Sequence, residues 1–430
     1  MLTTWILLFL VVLLAMGTPV GLAMAVAGAA GLYGMGGLSM VLGILDTSPM
    51  SSASSYELIS IPMFLLMAEF VILSGVADNL FKAAATCVGR VPGGLGMATA
   101  LAGAGFGAIS GSSTASAATL SATTIPAMLK QGYEPKVACG VVAISGTLAM
   151  LIPPSIALVL YGIIADVSIG RLLVGGVIPG ILVTLTIMAT VYLLVMTDRS
   201  RAPTGRAYSF VEKLRSLKVV WAMLFLFMAV TGLIYTGVAT PTEASGIGAF
   251  GAFLLAWRAG KITLRTATGA LSRAAHTSCM IVLIILGAHI FGYFFTLTQS
   301  TQNMVQWVSE LGASRWVVIA MILFGYVLLG CVMDQVAILI LTVPIVLPLV
   351  TSLGFDPVWF GVIVIVTAEV GMVTPPVGLN AFVVARYTGR PLAEIFWGVT
   401  PHVIAHVFII ALFVIFPQII LWLPSTMRGE

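Results

Sequence analysis

Charged residues are scarce in this sequence. They make up only 8% of its 430 residues, whereas hydrophobic residues make up 60% and the mean hydropathy is +1.14. A soluble domain needs about a quarter of its residues charged to keep its surface hydrated. The composition therefore excludes an ordinary soluble protein, and we expect a lipid bilayer to surround most of the chain.

The sequence also lacks the motifs of the common catalytic sites. It contains no Walker motif and no GxSxG, HExxH or CxxC motif, so nothing indicates ATP hydrolysis or hydrolase chemistry. Its four cysteines stand singly in apolar stretches, which indicates neither a disulfide framework nor a metal cluster. An intramembrane enzyme would need a paired Asp, a Ser–His pair or a metal motif at depth, and none is visible. We therefore predict that the protein is not an enzyme and has no nucleic-acid partner.

Long apolar segments are abundant. A helix needs roughly 20 apolar residues to cross the hydrocarbon core of a bilayer. We interpret the first such segment as a retained span and not as a signal peptide, because no positive charge precedes it. Two further stretches, 94–129 and 317–350, are interrupted by Gly, Ser, Pro or Asp and are predicted to be re-entrant hairpins. The candidate spans are 2–16, 19–45, 61–80, 137–165, 171–197, 219–236, 241–257, 274–298, 358–385 and 394–424.

Lys and Arg residues orient these spans, because cytoplasmic loops carry an excess of them. The segment 198–218 contains six, so we predict that it is cytoplasmic. Tracing the spans in both directions from this segment leaves only three of the 19 basic residues on the opposite side, namely Arg171, Arg315 and Arg428. This pattern predicts a multi-pass protein of the bacterial inner membrane with both termini in the periplasm.

An internal repeat relates the segments 126–179 and 348–401. The predicted orientation makes the two copies antiparallel, and inverted repeats with broken helices are typical of secondary transporters. We therefore predict an all-α membrane protein of about ten transmembrane helices and two re-entrant hairpins, built as an inverted repeat. One constant offset in residue number, without a gap, places Pro126 on Pro348, Gly132 on Gly354, Pro135 on Pro357, Pro153 on Pro375, Pro154 on Pro376 and Pro179 on Pro401.

The predicted domain boundaries follow from the repeat. The N-terminal scaffold helices occupy 1–60, and a cytoplasmic basic loop with linking helices occupies 199–273. The first repeat, 61–198, contains the hairpin 94–129 and the broken helix 137–165. The second repeat, 274–424, contains the hairpin 317–350 and the broken helix 358–385, and a tail follows at 425–430.

Four polar segments interrupt the apolar pattern where it should be deepest. They are 107–114, 145–155, 330–335 and 367–380. Freed backbone carbonyls and Ser, Thr and Asn oxygens suit Na⁺, whereas helix N-termini at the hairpin tips offer N–H groups to a carboxylate. The alternative is that Gly and Ser merely let helices pack closely, which explains four symmetric breaks poorly. The predicted substrate-binding residues are Ser110, Gly111, Ser112, Ser113, Thr114, Met333, Asp334, Gln335 and Asn380.

Three acidic residues lie within apolar stretches: Glu69, Asp334 and Glu369. A charge in a membrane helix costs several kcal/mol, which makes each a candidate for a functional role. For Glu69 we favour a structural hydrogen bond to a neighbouring hairpin, because its segment shows no break. Glu243 follows Thr240-Pro-Thr, a pattern typical of a helix N-cap.

Several segments resemble the large (M, or DctM-type) membrane subunit of TRAP transporters, the tripartite ATP-independent periplasmic family. They span essentially the whole chain. The resemblance implies a scaffold and a mobile transport domain working as an elevator, with Na⁺ coupling. It also implies a small four-helix membrane partner and a periplasmic binding protein that delivers a small organic anion, such as a carboxylate or sugar acid. The segments are 109–113, 125–128, 132–135, 152–155, 168–170, 178–180, 240–244 and 373–380.

The resemblance also implies two Na⁺ sites, one in each half of the chain. The first lies near Ser110, Ser145 and Pro153, and the second near Gly330, Gly371 and Thr374. The full set of candidate Na⁺ ligands is Ser110, Ser145, Gly146, Pro153, Gly330, Thr367, Gly371 and Thr374.

The sequence departs from the family pattern at two places. Ala115-Ser116-Ala117 stands where family members commonly have Ala-Asp-Ala, and Ala149-Met150 replaces the usual Gly-Pro. Because no small-subunit sequence is fused to this chain, we expect that partner to be a separate polypeptide. The main alternative is a stand-alone ion-coupled carboxylate carrier that needs no binding protein. A channel is a further alternative, although inverted repeats with hairpin tips favour alternating access.

Overall fold

The computed structural model describes residues 2–205, 207–310 and 312–427. Two basic residues that entered the orientation, Arg206 and Arg428, lie outside the described residues, as does the second half of the predicted tail, 428–430. Within the described ranges the chain is helical and contains no strand.

Twenty α-helices are found in this part of the chain. The predicted hairpin 94–129 corresponds to α5–α7, and the hairpin 317–350 to α15 and α16. The helices are α1 (Leu2–Ala15), α2 (Val20–Ala53), α3 (Ser60–Leu73), α4 (Val76–Val88), α5 (Gly94–Ser110), α6 (Ser113–Thr123), α7 (Ile125–Lys130), α8 (Pro135–Thr147), α9 (Ile156–Ala165), α10 (Ile169–Thr197), α11 (Phe210–Tyr235), α12 (Pro241–Arg258), α13 (Leu264–Leu297), α14 (Ser300–Glu310), α15 (Arg315–Gly330), α16 (Gln335–Ser352), α17 (Pro357–Gly371), α18 (Leu379–Thr388), α19 (Leu392–Ile415) and α20 (Gln418–Ser425).

The helix starts repeat at the offset seen in the sequence. Helices α8 and α17 begin at Pro135 and Pro357, which are equivalent positions of the two repeats. A proline fits the first helical turn because the N–H that it lacks has no intrahelical partner there. Helices α6 and α16 are capped by Ser112 and Asp334, which the same offset relates. The repeat therefore governs local structure as well as the spacing of helix breakers.

The two repeats exchange contacts symmetrically. The second arm of the first hairpin, α6, packs against α18 of the second repeat, and the corresponding arm α16 packs against α9 of the first. In the same way α8 contacts α19, and α17 contacts α10. Each hairpin thus rests on the half-helix that follows the break in the other repeat, which brings both tips towards the centre of the fold.

A separate group of helices faces the hairpin tips. Helix α13 packs along α2 and α3, α3 packs along α12, and α11 contacts α4 and α12. The α2–α13 contact depends on glycine, because a Cβ added at Gly287 would lie 2.0 Å from the carbonyl oxygen of Gly21. We name α1–α4 and α11–α13 the scaffold group, since the tips lie against α2, α3 and α13.

Besides the two predicted broken helices, two spans that were predicted to be continuous are each divided into two helices. The span 61–80 breaks at Ser74–Gly75, where Gly75 adopts the left-handed conformation with φ 72°. The span 394–424 breaks at Phe416–Pro417, because Pro417 has no N–H and disfavours the helical conformation of the residue before it. The helix α4 that follows the first break carries Lys82.

Other spans are longer than predicted. Helix α11 begins at Phe210, so the predicted cytoplasmic loop 198–218 is helical in its second half. Its start carries a capping box, in which Ser209 and Glu212 satisfy each other's backbone N–H groups. Helix α13 begins at Leu264, well before the predicted span 274–298. Hydropathy marks the apolar core of a helix, whereas polar residues extend the same helix beyond that core.

The surface confirms a multi-pass membrane protein. Large apolar side chains are widely exposed, including Trp5 at 67%, Phe324 at 63% and Phe408 at 71%. Seven helices of the described chain are long and apolar enough to cross a membrane, judged by length and composition, and one of them, α16, is an arm of the second hairpin. Shorter apolar helices include α5 and α15 of the hairpins and the broken helices α8, α9 and α17. Apolar surface on this scale requires lipid or a membrane partner.

Candidate substrate and ion site

The first hairpin tip is a compact network of serine hydroxyls. Gly111 makes the turn with φ 56°, and the Ser112 hydroxyl accepts a hydrogen bond from Ala115 N at 3.4 Å at the start of α6. Ser110 Oγ lies 2.7 Å from Ser116 Oγ and 3.2 Å from the carbonyl oxygen of Ser112. The tip therefore presents the N-terminus of α6 beside three clustered oxygens.

The second hairpin tip has the same design with a carboxylate as the cap. Asp334 accepts a hydrogen bond from Val336 N at 3.2 Å, which caps α16. The next side chain, Gln335, is fully buried and donates through Nε2 to the carbonyl oxygen of Ile365 at 3.2 Å. This bond fixes the tip to the broken helix α17.

Both tips border one cavity of about 590 Å³. Its other walls are formed by α2, α3 and α13 of the scaffold group, which contribute mostly apolar side chains. Four of the predicted substrate-binding residues line it, and these are Ser110, Gly111, Ser112 and Asp334. Glu69 and Thr277 are the polar lining residues that the sequence prediction did not assign to the substrate.

The other predicted substrate-binding residues lie behind or beside this cavity. Asn380 is buried and donates through Nδ2 to Ser113 Oγ at 2.7 Å and to the carbonyl oxygen of Ala143 at 3.4 Å. Thr114 lines a neighbouring depression of about 600 Å³ that also contains Arg386. The remaining two, Met333 and Gln335, are absent from the lining of both.

Candidate Na⁺ ligands of the second half lie close together. A Cβ added at Gly330 would lie 2.9 Å from Gly371 Cα, and Thr374 N donates to the carbonyl oxygen of Gly371 at 2.9 Å. The Thr374 hydroxyl donates to the carbonyl oxygen of Val370 at 2.5 Å, which leaves oxygen lone pairs available. Thr367 lies one helical turn before Gly371 and bonds within its own helix.

Among the candidate Na⁺ ligands of the first half, Ser145 has a buried hydroxyl that the described part of the protein leaves unbonded. Its Oγ has no hydrogen-bond partner among the described residues, and α5 approaches so closely that a Cβ at Gly103 would lie 2.6 Å from the Ser145 carbonyl oxygen. Gly146, next to it, packs against Ala117 of α6. Pro153 instead lines a separate apolar cavity of about 460 Å³ between α4, α5, α10 and α11.

These donor atoms fit Na⁺. They are neutral hydroxyl and carbonyl oxygens, which are suitable ligands for hard monovalent cations. One of them is a buried hydroxyl that has no hydrogen-bond partner in the described part of the protein. No group of three His, Cys, Asp or Glu residues that could hold a transition metal occurs in the described part of the chain. Ser116 contacts the candidate ligand Ser110 but was not predicted as a site residue. The feature of the sequence that could have indicated it is the departure from the family pattern Ala-Asp-Ala at 115–117.

The embedded acidic residues have different surroundings. Glu69 accepts two hydrogen bonds from Arg273, at 2.8 Å from Nε and 2.6 Å from Nη2. Glu69 therefore forms a hydrogen bond as predicted, but the predicted hairpin partner is wrong, because Arg273 lies on α13. Glu369 is fully buried on α17, and its carboxylate oxygens have no hydrogen-bond partner among the described residues.

Comparison with known proteins identifies relatives over almost the whole chain. A family model described as "Tripartite ATP-independent periplasmic transporter, DctM component" matches residues 7–419. A C4-dicarboxylate TRAP transporter large permease protein of Pseudomonas aeruginosa is 35% identical over 401 residues, which cover 90% of this chain and 93% of that protein. An isethionate TRAP transporter permease protein, DctMQ, of Oleidesulfovibrio alaskensis is 32% identical over 90% of this chain and 60% of its own length.

A solved structure shares the fold. The YdaH transporter of Alcanivorax borkumensis, whose structure was described as revealing an unusual topology, superimposes with a TM-score of 0.65. The match covers 88% of this chain and 90% of that one, at 12% sequence identity. The helical architecture is therefore that of a known transporter.

Proposed function

This chain belongs to the DctM family of TRAP transporter large permeases, and we propose that it is the large subunit of a sodium-coupled importer of a small organic anion. The family is one of transporters and not of enzymes. The observation that carries the proposal is the meeting of both hairpin tips, through Ser110–Ser112 and Asp334, at one cavity.

The tips supply what an anion needs inside a membrane protein. The N-terminus of α6 lies at this cavity, and a helix N-terminus carries N–H groups and a partial positive charge. The N-terminus of α16 also lies there, but the Asp334 carboxylate caps it. A hydrogen bond to a charged group contributes about 1.5–3 kcal/mol. None of the described lining residues is Lys or Arg. A carboxylate held mainly by such contacts binds weakly without further positive charge.

Sodium supplies that charge in the proposed mechanism. The hydroxyls of Ser110 and Ser145 in one half, and Thr374 with the Gly371 carbonyl in the other, are the residues that would hold it. A bound Na⁺ would place a positive charge near the tips and would make anion binding depend on the ion gradient. The Ser110–Ser116 hydroxyl pair orients the first of these oxygens.

The proposal also includes a moving part of the protein and two protein partners. The hairpins and broken helices form a body that packs against the scaffold group chiefly through α5, α9 and α16. We propose that this body moves as an elevator in the inner membrane, with both chain termini in the periplasm. A small membrane subunit and a periplasmic binding protein are the proposed partners, and the relative from Oleidesulfovibrio alaskensis is a TRAP transporter permease protein named DctMQ.

Reconstituted uptake tests the proposal. The chain is purified together with a small TRAP membrane subunit and placed in proteoliposomes, and uptake of radiolabelled succinate, isethionate and sialic acid is measured. We expect uptake of at least one of these anions to require both an inward Na⁺ gradient and the binding protein.

The controls separate the alternatives. A K⁺ gradient replaces Na⁺ in one arm, and the binding protein is omitted in another. Uptake that proceeds equally without the binding protein would favour the stand-alone carboxylate carrier, and uptake that ignores Na⁺ would remove the proposed coupling.

A further inference from the structure

The cavity between the hairpin tips has an unexpected charge balance. Its described wall contains two carboxylates, Glu69 and Asp334, and no basic side chain. Asp334 is stabilised at the N-terminus of α16, where the helix dipole and Val336 N offset its charge. Glu69 stands in the middle of α3 and receives no such help from a helix end. An anion entering the cavity therefore meets a negative charge unless a cation neutralises Glu69.

Arg273 is that cation. Its Nε and Nη2 both donate to one oxygen of Glu69, at 2.8 and 2.6 Å. The Glu69 side chain is 20% exposed, and the Arg273 side chain is 57% exposed. Thr277, one helical turn after Arg273 on the same face of α13, lines the cavity. Arg273 Nη1 is directed back along α13, 3.4 Å from the position of a Cβ added at Gly269. Because Glu69 itself lines the cavity, the guanidinium that it binds lies at the rim.

The ion pair leaves the guanidinium able to bind a second carboxylate. Arginine has five N–H donors, and Glu69 uses two of them on a single oxygen. No other hydrogen bond or ion pair of Arg273 occurs in the part of the chain that the structure describes. Glu69 also fixes the orientation of the planar group, which lowers the entropy lost when a further anion binds.

We propose that Arg273, held by Glu69, is the residue of the scaffold group that selects and positions the anionic substrate at the rim of the cavity. The inference rests on the proposed anion transport and adds to it a specificity-determining residue. The first hairpin tip would hold the anion by the N-terminus of α6, and Arg273 would hold it from the opposite wall. The alternative is a purely structural pair that only joins α3 to α13.

Charge-neutral replacement of both partners separates these two roles. The double variant E69Q/R273Q keeps the net charge of the pair at zero and keeps side chains that can hydrogen-bond to each other. If Arg273 binds the substrate, the concentration of substrate that gives half-maximal uptake should rise about tenfold, since one contact to a charged group is lost. The maximal rate should stay within about twofold of the unmodified complex. An unchanged half-maximal concentration would show that the pair is only structural.

A second measurement does not depend on knowing the substrate. Thr277→Cys is made in a variant whose four native cysteines have been replaced, and this protein is purified. The new cysteine is labelled with anionic sulfonatoethyl methanethiosulfonate and, separately, with neutral methyl methanethiosulfonate. We expect the ratio of the anionic to the neutral rate to fall about two- to threefold in R273Q, which removes one positive charge and keeps Glu69, as for a unit charge roughly 7–10 Å away in water. R273K should retain the ratio, because it keeps the charge. Ser209→Cys, an exposed position on the start of α11, is the control and should show no change.

The two measurements distinguish failure of the inference from failure of the proposed function. If the unmodified complex imports none of the anions tested, the substrate class is wrong, and the labelling ratio still decides whether Arg273 attracts anions. If uptake occurs and neither the half-maximal concentration nor the ratio changes, the role of Arg273 is refuted while anion transport stands. Size-exclusion chromatography of each variant verifies that the chain is folded.

Discussion

The contact between Asn380 and Ser113 joins the two repeats directly behind the first hairpin tip. Asn380 Nδ2 donates to Ser113 Oγ at 2.7 Å, and both side chains are at most 1% exposed. Asn380→Ala leaves the buried Ser113 hydroxyl without this donor, which costs about 1–3 kcal/mol. The lost volume, roughly 25 Å³, adds about 0.6 kcal/mol.

One contribution to the free energy of unfolding stabilises the Asn380→Ala variant. Asn380 Oδ1 is buried without a partner among the described residues, so its removal recovers part of that loss. We therefore expect a net destabilisation of about 1–3 kcal/mol. In a chain of this length that corresponds to a fall of a few degrees in the apparent melting temperature.

A thermal-shift assay on the detergent-solubilised protein measures the effect. Ser113→Ala leaves Asn380 with the weaker 3.4 Å contact to Ala143, and it should destabilise the protein less. The double variant should fall short of the sum of the single effects by about 1 kcal/mol, because both remove the same bond. Asn303→Ala, at an exposed asparagine on α14, is the matched control and should stay within about 0.5 kcal/mol. Additive single effects, or an Asn380→Ala protein as stable as the unmodified one, would refute the role of this contact.

Three further outcomes are expected. A cysteine at Ser209 should react with an impermeant reagent added outside intact cells only after permeabilisation, because its segment is predicted to be cytoplasmic, and earlier labelling would reverse the orientation. Ser110→Ala or Thr374→Ala should raise the Na⁺ concentration for half-maximal uptake by about tenfold without loss of folded protein, and an unchanged Na⁺ curve in both would remove these hydroxyls from the ion sites. Gly330→Ala should destabilise the protein by about 1–3 kcal/mol in a thermal-shift assay, since its Cβ would lie 2.4 Å from a backbone oxygen of α17. Gly325→Ala on the same helix meets no atom within 4 Å and should be neutral or slightly stabilising, so equal effects at the two glycines would contradict the packing argument.

The positions of the hairpins could be predicted closely from the sequence. The interruption 94–129 corresponds to helices that run from Gly94 to Lys130, and 317–350 to helices that run from Arg315 to Ser352. Glycine, proline and capping residues affect the backbone conformation of only a few neighbouring residues. Their effect on helix ends can therefore be predicted without knowledge of the rest of the fold. The division of the span 61–80 at Gly75 was missed, because a single glycine within an apolar run is also tolerated inside a helix.

Site residues were predicted less completely for a physical reason. Ser110 and Ser113 stand close together in the chain at one tip, yet the first lines the cavity and the second is buried against α18. Ser110 ends α5 and Ser113 begins α6, so which of them faces the cavity depends on how these two helices are oriented against the other repeat. Glu69 was interpreted as structural because its surrounding helix is unbroken, and the cavity that it borders is formed by α13 and the hairpin tips.

The sequence by itself determined the membrane class, the positions of the helix breakers and the offset that relates the two repeats, because low polarity and backbone restrictions are local properties of the chain. Only the tertiary structure decided which polar groups meet. Ser113 and Asn380 are 267 residues apart in the chain, and Glu69 and Arg273 are 204 apart. Such pairs form because the helices that carry them bury apolar faces against one another, and that packing depends on every helix at once.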